Sequence, residues 1–394
     1  MNAPVVHQPE TLDAARALLE ECARGRRRVG FVGGGTALGL GNPGSPLDVL
    51  VHTRGLRRIV DYAAEDQVIV AEAGVTLGEL QALVGERGQW LGVDAPNPER
   101  ATLGGLVAVG AFGPRRARYG GMRELLLGIT LLRADGVLAK SGSKVVKNVA
   151  GFDLPKLMCG ALGTLGLIGE VTLRLHPRPE ASATVLFAGL DATAVVNVVK
   201  ASRLAQLEPS SVVALAAEPG RYHLGLRFEG FSAGVERDVG RAIELGSPDQ
   251  GPARALSAEG AVQFWHRHDQ VRTRGTLRVR VAVLPSQLPV LEPSLRPLLA
   301  GLSGAGLAWY ASLGIGFLSG APVPGAELLP ALQAGRAGVR ELGGSLVVEA
   351  APLPLRESFD AWGPEPSAFS VMRELKQRFD PEGRLNPGRF VGGL

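Results

Sequence analysis

The sequence is poor in cysteine and in aromatic residues. Two cysteines occur among its 394 residues, and Cys22 and Cys159 do not have the spacing of a zinc ribbon, a redox motif or an iron-sulfur site. Aromatic residues make up 5% of the chain, whereas 54 glycines and 27 prolines indicate many tight loops. This composition argues against a disulfide scaffold and favours a loop-rich α+β protein over a helical bundle.

Long apolar runs and strong charge asymmetry are also missing. No stretch approaches the roughly 18 uninterrupted apolar residues of a membrane-spanning helix, and the N-terminus lacks the features of a signal peptide. The 42 basic and 38 acidic residues leave a net charge of +4, without the basic and aromatic pattern of nucleic-acid binding. We therefore expect a cytoplasmic protein that binds no nucleic acid and reaches a membrane only through a partner.

The order of predicted elements indicates two domains and a returning tail. A first helix is predicted between Pro9 and Gly25, and Asp135-Gly136 between two apolar stretches predicts a β-hairpin. After Glu180, strands alternate with helices, which is typical of a separate α+β layer. We predict an N-terminal domain over 1–179, a smaller α+β domain over 180–365, and a segment, 366–394, that returns to the first domain.

The first candidate binding loop is Gly33-Gly34-Gly35-Thr36, which follows a short predicted strand. Residues without a Cβ let several backbone N–H groups approach a pyrophosphate, and the Thr36 hydroxyl adds a donor. The run is not a Rossmann fingerprint, because Leu38 stands where the third glycine is expected, and it lacks the GK[ST] of a P-loop. Taken alone, it is equally compatible with a tight structural turn.

A second candidate lies in residues 95–120. Thr102 is placed to cap a short helix whose first turn holds Gly104 and Gly105, which predicts a bare, positively polarised N-terminus for an anion. The long loop that follows carries glycines and a tyrosine at positions that suit a ligand, Gly113, Tyr119 and Gly120. The alternative is a surface loop without a ligand.

The third candidate lies in residues 148–169. Asp153 is predicted to cap a short helix that ends at Gly160, after which Gly163-Thr164-Leu165-Gly166 opens a strand. Half of the lysines in the chain cluster nearby, at Lys144, Lys147 and Lys156. These lysines either offset the charge of a ligand or are solvated loop residues.

Five motifs in this order carry a family resemblance: GGGT, ATLGG, RYGG, GFDLPKLMCGALGTLGLI and the C-terminal FDPEGRLNPGRF. Together they resemble the FAD-binding proteins of the vanillyl-alcohol oxidase and p-cresol methylhydroxylase (PCMH) type. Within that superfamily, residues 144–177 are most similar to the FAD-binding E subunit of bacterial glycolate oxidase (glycolate dehydrogenase). The resemblance is strong over residues 9–179 and clear again from Phe379.

The resemblance implies a fold and a set of cofactor contacts. The fold is α+β, with a PCMH-type FAD-binding domain of two α+β subdomains and a smaller α+β cap domain. Residues 26–41 and 95–121 contain no histidine or cysteine for covalent attachment, so the FAD is expected to be non-covalent. Gly33 to Leu38 would surround the pyrophosphate and Asn386 would lie near the flavin ring. The implied contacts are Gly33, Gly34, Gly35, Thr36, Ala37, Leu38, Pro96, Thr102, Gly104, Gly105, Gly113, Tyr119, Gly120, Gly163, Thr164, Gly166, Ile168 and Asn386.

The resemblance also implies a function. The chain would be a subunit that oxidises glycolate, or another small 2-hydroxyacid, by hydride transfer to flavin, and its partners would be an FAD-containing catalytic subunit and an iron-sulfur subunit. Two alternatives stay open, a non-catalytic electron-relay or assembly subunit and a self-sufficient flavin oxidoreductase acting on another alcohol.

The sequence identifies no catalytic base. It also lacks the metal-binding His-x-x-Gly-Asp-Gly-Asn-x-His pattern of related enzymes, and His266 and His268 lie on different faces of a predicted helix, so no metal site is predicted.

Overall fold

The computed structural model describes residues 3–143, 153–246 and 252–394. The chain divides into two compact units, which are described separately. The first unit comprises Met1–Gly113, Tyr119–Arg178 and Pro364–Leu394, and the second comprises Pro114–Arg118 and Pro179–Gly363. Both units combine helices with β-sheet, which confirms the α+β class.

The helices and strands alternate along most of the chain. The strands are β1 (Val5–His7), β2 (Val29–Val32), β3 (Val49–His52), β4 (Ile59–Ala63), β5 (Val68–Glu72), β6 (Gln89–Trp90), β7 (Leu126–Leu132), β8 (Leu138–Gly142), β9 (Leu167–Arg174), β10 (His176–Pro177), β11 (Ala181–Leu190), β12 (Ser211–Glu218), β13 (Arg221–Gly230), β14 (Ala253–Ala255), β15 (Leu277–Ala282), β16 (Leu302–Tyr310), β17 (Ile315–Pro322) and β18 (Ser345–Ala350). The helices are α1 (Leu12–Arg24), α2 (Leu77–Gly85), α3 (Leu103–Val109), α4 (Arg116–Tyr119), α5 (Met122–Leu125), α6 (Leu154–Met158), α7 (Ala192–Leu204), α8 (Ser232–Glu244), α9 (Ala258–Thr273), α10 (Leu288–Ala300), α11 (Leu328–Glu341), α12 (Leu353–Ser358) and α13 (Phe369–Phe379). None of these helices is long and apolar enough to cross a membrane.

The first unit contains a small parallel sheet with strand order β1-β3-β2. Helix α1 packs on it through Leu19 and Cys22, which are fully buried with Val29 and Val49 of the strands. The Thr11 side chain accepts a hydrogen bond from the backbone N–H of Ala14, which fixes the start of α1. The predicted first helix is therefore confirmed.

A five-stranded antiparallel sheet forms the rest of the first unit, with strand order β4-β5-β9-β7-β8. Strands β7 and β8 form the predicted hairpin, in which Leu132 pairs with Leu138. Gly136 adopts a φ of 81° in the turn, and the Asp135 carboxylate accepts a hydrogen bond from the N–H of Val137. Asp135-Gly136 thus forms the turn that its sequence predicts.

The second unit is built on an eight-stranded antiparallel sheet with strand order β14-β11-β13-β12-β16-β17-β15-β18. Helices α7, α8, α10 and α11 cover one face and enclose the main core, which includes the fully buried Phe187 and Trp309. Helix α9 lies against the sheet through Phe264, whose ring would be 2.5 Å from a Cβ at Gly225. On the same helix, His268 is buried and its Nε2 lies 2.8 Å from the Tyr310 hydroxyl oxygen.

Helix α8 provides a test of the second unit's stability. Gly240 is exposed on this helix, and a Cβ built there meets nothing within 4 Å. Alanine loses less backbone entropy than glycine in a helix interior, so Gly240→Ala should raise the free energy of unfolding by roughly 0.5–1 kcal/mol. Urea unfolding followed by circular dichroism measures this change. A destabilised Gly240→Ala protein would contradict the helical assignment at this position.

Candidate functional site

A cavity of about 80 Å³ lies in the first unit at the C-terminal end of β2. It brings the first predicted loop together with part of the second and with the C-terminal tail, and it is lined by Gly33, Gly34, Gly35, Thr36, Ala37, Leu38, Thr102, Gly105, Leu106, Leu162 and Arg389, among others. In the part of the chain that the structure describes, the N–H groups of Gly34, Gly35 and Thr36 donate to no other protein group. Consecutive backbone N–H groups of this kind form anion-binding concavities.

The structure requires glycine in the first loop for two different reasons, close approach of the chain and a positive φ. A Cβ at Gly33 would lie 2.1 Å from Thr102 Oγ1, and a Cβ at Gly34 would lie 1.6 Å from the Arg100 carbonyl oxygen. Gly35 has a φ of 71° and no such close neighbour. Gly33 and Gly34 therefore allow the two loops to touch, and the loop still lines the cavity. This geometry is compatible with both the structural and the binding interpretation of the loop.

Two arginines that the sequence analysis did not select surround this loop. Arg389 donates from Nη2 to the Leu38 carbonyl at 2.9 Å and from Nε to the Leu40 carbonyl at 3.2 Å. Arg100 donates from Nη2 to the Gly34 carbonyl at 3.3 Å. The guanidinium groups thus fix the loop by its carbonyls and add positive charge beside its amides. The only sequence signal for Arg389 was its position directly after the Asn-Pro-Gly turn of the tail.

The N-terminus of α3 differs from the prediction. Thr102 caps the helix as expected, since its Oγ1 accepts a hydrogen bond from the Gly105 N–H at 3.3 Å. The N–H groups of Leu103 and Gly104, however, donate to the carbonyls of Val75 and Ala73, both at 2.8 Å. The prediction of a bare helix N-terminus is therefore wrong, because neighbouring carbonyls already satisfy the amides of the first turn.

Gly104 and the half-buried Pro96 do not line this cavity. A Cβ at Gly104 would lie 2.6 Å from the Ala73 Cβ, so this glycine allows α3 to pack closely. Gly105 does line the cavity, and the nearest atom to a Cβ there is Thr102 Oγ1 at 3.0 Å.

The loop after α3 has its own packing. Tyr119 makes edge-to-face contacts with Trp90 and His176, with ring centroids 5.3 and 5.2 Å apart. A Cβ at Gly113 would lie 2.2 Å from the Asp94 Cβ, and Gly120 has a φ of 82°. Burial, followed by the charge of Arg174, lowers the pKa of His176. Trp90, Tyr119 and His176 form an aromatic cluster in the first unit. Neither this cluster nor Gly113 and Gly120 line the cavity of the glycine loop.

The third motif is joined to the tail through Asn386. This side chain is buried and donates from Nδ2 to the Leu162 carbonyl at 2.8 Å. Gly163, with a φ of 70°, lies against it, since a Cβ there would be 2.8 Å from Nδ2. The backbone N–H of Asn386 also donates to the Val29 carbonyl on β2. Asn386 therefore connects the strand before the glycine loop with the third motif.

The remaining predicted contact residues of the third motif, Thr164, Gly166 and Ile168, are buried. A Cβ at Gly166 would lie 2.8 Å from the Leu132 carbonyl oxygen, and Ile168 belongs to the core of β9. Asp153 caps α6 as predicted, accepting a hydrogen bond from the Lys156 N–H at 3.2 Å. Residues 144–152, with Lys144, Lys147 and the predicted motif from Asn148 to Phe152, lie outside the described residues.

Lys376 of α13 makes a buried junction with the third motif. Its Nζ donates to the Thr164 carbonyl at 2.8 Å, to Asp380 Oδ2 at 2.7 Å and to the Leu385 carbonyl at 2.9 Å. Burial lowers the pKa of Lys376, and the Asp380 carboxylate opposes this effect. A largely apolar cavity of about 480 Å³ lies next to this junction, with Cys159 and Met372 in its wall.

No metal site accompanies these cavities in the described ranges, where no group of three or more His, Cys, Asp or Glu side chains is arranged to hold an ion. The ring of His268 contacts Asp269 and Tyr310, whereas His266 is exposed on the same helix.

Residues 3–142, which contain the glycine loop and α3, match a family model described as an FAD binding domain. The first unit of this protein carries an FAD-binding domain. The amides around the small cavity fit such a cofactor, because FAD brings a pyrophosphate that needs backbone donors. FAD is thus the cofactor of this chain, and the prediction of an FAD protein is confirmed.

Two relatives and one solved structure define the relationship further. Glycolate oxidase subunit GlcE of Escherichia coli (strain K12) is 37% identical over 179 residues, which are 44% of this chain and 50% of that subunit. D-lactate dehydrogenase of Archaeoglobus fulgidus is 27% identical over 419 residues, covering 99% of this chain and 92% of that enzyme. An alkyldihydroxyacetonephosphate synthase structure, 17% identical, superposes with a TM-score of 0.71 over 97% of this chain and 75% of its own.

These likenesses establish a PCMH-type FAD-binding fold. The alkyldihydroxyacetonephosphate synthase supports the fold alone. In its match to GlcE the chain spans half the length of that subunit.

Proposed function

We propose that this protein is the FAD-binding subunit of a glycolate or related 2-hydroxyacid dehydrogenase. It would oxidise glycolate to glyoxylate by hydride transfer to flavin and pass electrons to an FAD-containing catalytic subunit and an iron-sulfur subunit. The observation that carries the cofactor part is the row of amides from Gly34 to Thr36 at a small cavity, which have no acceptor among the described residues. The substrate class is supported by two relatives named for glycolate and D-lactate, which are both 2-hydroxyacids.

The chain's own residues would bind the pyrophosphate and keep the loop in place. The N–H groups of Gly34, Gly35 and Thr36 would donate to the phosphate oxygens, and Arg389 and Arg100 would offset their charge. The bound flavin supplies the hydride acceptor for oxidation of the substrate carbon. Asn386 would keep the third motif next to β2. The other predicted contacts would then lie along the rest of the cofactor, namely Gly113, Tyr119, Gly120, Gly163, Thr164, Gly166 and Ile168.

A relay or assembly role in the same complex is the second candidate function. The sequence lacks the metal-binding pattern that related enzymes use for 2-hydroxyacids, and this favours substrate oxidation by a partner subunit. Any membrane association of the complex would then come from partner subunits.

The visible absorbance spectrum of the purified chain distinguishes these functions. We expect a flavin spectrum that anaerobic addition of glycolate bleaches. A flavin spectrum that persists with glycolate, and bleaches only when partner subunits are added, would support the relay role. Bleaching by another alcohol instead of glycolate would support a self-sufficient oxidoreductase.

Gly105→Val tests the cavity without a clash against the protein backbone. Its side chain would enter a cavity of about 80 Å³, so we expect the Kd for FAD to rise at least about tenfold, which corresponds to about 1.4 kcal/mol. Gly34→Val is a poorer test, because its Cβ would displace the Arg100 carbonyl. Fluorescence titration of the apoprotein with FAD gives the Kd.

The matched control for this prediction is Gly240→Val on α8, where the added side chain meets open space. It should leave FAD affinity unchanged. Equal FAD affinity in Gly105→Val and the unmodified protein would refute the placement of the pyrophosphate at this cavity.

A further inference from the structure

A groove of about 500 Å³ runs along helix α7 of the second unit. The α7 residues that line it are Val195, Val196, Val199, Lys200, Arg203 and Leu204. Their spacing of three or four residues places them on one stripe of the helix. An α-helix rises 1.5 Å per residue, so the stripe from Val195 to Leu204 is roughly 14 Å long. The groove therefore follows about two and a half turns of α7, and Pro285, Ser286 and Ala311 complete its lining.

The groove has an apolar floor, and two exposed leucines lie at or beside its edge. Val195 and Ala311 are buried and form its base. Leu204 has 75% of its surface exposed, and Leu284, next to Pro285, has 63% exposed. Isolated exposed leucines are ordinary on a protein surface, but two of them beside an elongated apolar groove are typical of a site that a partner covers.

The rim of this groove is positively charged. Lys200 and Arg203 are both exposed and lie one helical turn apart. Across the described ranges, neither side chain has an ion pair or a hydrogen bond, and no acidic residue lines the groove. The groove thus presents two adjacent cations with no counter-charge of their own, which complements an acidic ligand.

We propose that this groove binds an acidic amphipathic helix of a partner protein. The apolar anchors of such a helix, at positions i, i+3 or i+4, and i+7, extend over roughly 10 Å and match the length of the stripe. Carboxylates one turn apart on the bound helix face Lys200 and Arg203. The site is independent of the FAD-binding site proposed above, because its residues all belong to the second unit.

The test uses two labelled synthetic peptides on the FAD-loaded full-length chain. One is a helical peptide of leucine, alanine and glutamate with leucine at i, i+3, i+4 and i+7, and the other has lysine in place of each glutamate. Fluorescence anisotropy should show that the acidic peptide binds at least about tenfold more tightly than the basic one. Raising the salt concentration should reduce this preference, because the rim charges are exposed.

The charge-reversal variant Lys200→Glu/Arg203→Glu should exchange the preference between the two peptides. The matched control, Arg254→Glu/Arg340→Glu, makes the same change in net charge at exposed arginines of the second unit outside the groove. This control should leave the preference for the acidic peptide unchanged. Leu204→Asn should weaken both peptides severalfold without loss of FAD or of thermal stability, since this leucine is largely exposed.

Several outcomes overturn the proposal. Equal affinity for both peptides, no binding of either, or binding that Lys200→Glu/Arg203→Glu does not alter would each do so. Binding to vesicles of phosphatidylglycerol that requires the same two cations, with no peptide binding, would make the groove a membrane contact. Self-association in sedimentation experiments that Lys200→Glu/Arg203→Glu abolishes, again without peptide binding, would make it a contact between copies of this chain.

Discussion

Replacing Lys376 by methionine is expected to lower the free energy of unfolding by about 3–5 kcal/mol. The ammonium group is surrounded by three acceptors, the Thr164 carbonyl of the third motif and, in the tail, the Asp380 carboxylate and the Leu385 carbonyl. Methionine keeps the apolar stem but leaves the Asp380 carboxylate, which is 1% exposed, without its counter-charge. An uncompensated buried charge is far more costly than the loss of one hydrogen bond.

The loss of this junction should also weaken the retention of FAD. Lys376 connects the third motif to the tail, and the tail carries Arg389, which fixes the carbonyls of the glycine loop. We therefore expect Lys376→Met to lose FAD at lower urea concentrations than the unmodified protein. Flavin fluorescence measures release of FAD, and circular dichroism measures unfolding on the same samples.

Two variants control this prediction. Lys140→Met makes the same chemical change at an exposed lysine of β8 and should alter stability by less than about 0.5 kcal/mol. Adding Asp380→Asn to Lys376→Met should recover part of the loss, because the buried charge is removed. If Lys376→Met were as stable as Lys140→Met, the buried junction would not contribute to the fold.

The second large effect is expected at the ion pair of Arg115 and Glu229 in the second unit. Hydrogen bonds join them from Arg115 Nη2 to Oε1 at 2.6 Å, from Nε to Oε2 at 2.9 Å and from Nε to Oε1 at 3.2 Å. The Glu229 side chain is only 2% exposed. Arg115→Met should therefore destabilise the second unit by about 3–5 kcal/mol. Urea unfolding gives the value.

The control for this pair is Arg237→Met, which breaks an exposed pair with Asp238. Exposed pairs contribute roughly 0–1 kcal/mol, so this variant should be close to the unmodified protein. Similar losses in both variants would mean that burial of Glu229 does not set the energy of its pair.

The same pair predicts a pH dependence. Burial alone would raise the pKa of Glu229, but the hydrogen bonds and charge of Arg115 hold it below its ordinary value of 4.5. A carboxyl whose pKa is lower in the folded state stabilises the fold above the unfolded value, and that contribution is lost as pH falls through the folded value. Below pH 4.5, the protein should therefore lose stability more steeply than Glu229→Gln does. Parallel slopes for the two proteins in urea unfolding would contradict this assignment.

Local signals in the sequence were sufficient where structure depends on neighbouring residues. The cap of α1 by Thr11 and the turn at Asp135-Gly136 each involve residues at most three positions apart. The position of the glycine loop was also found from its sequence, because a run of glycines after a strand marks a loop. The FAD-binding domain followed from the order of such local motifs.

The features that the sequence analysis missed depend on distant residues. The amides of Leu103 and Gly104 are occupied by carbonyls near the end of β5, and nothing in residues 95–120 indicates that pairing. Arg389 acts on carbonyls of the glycine loop from the opposite end of the chain. Such contacts are set by how the sheets and the tail pack, and single-sequence patterns carry no record of that packing.

The position of the tail has a consequence for synthesis of the protein. Strand β2 at the start of the chain is bridged to Leu385, with hydrogen bonds from the Val29 N–H to the Arg384 carbonyl and from the Asn386 N–H to the Val29 carbonyl. A nascent chain therefore lacks the last partner of β2 until residues 384–386 have left the ribosome. The second unit, which lies between these segments in the sequence, can complete its sheet earlier. The cofactor loop next to β2 would consequently acquire its final form only after residues 384–386 have emerged and docked on β2.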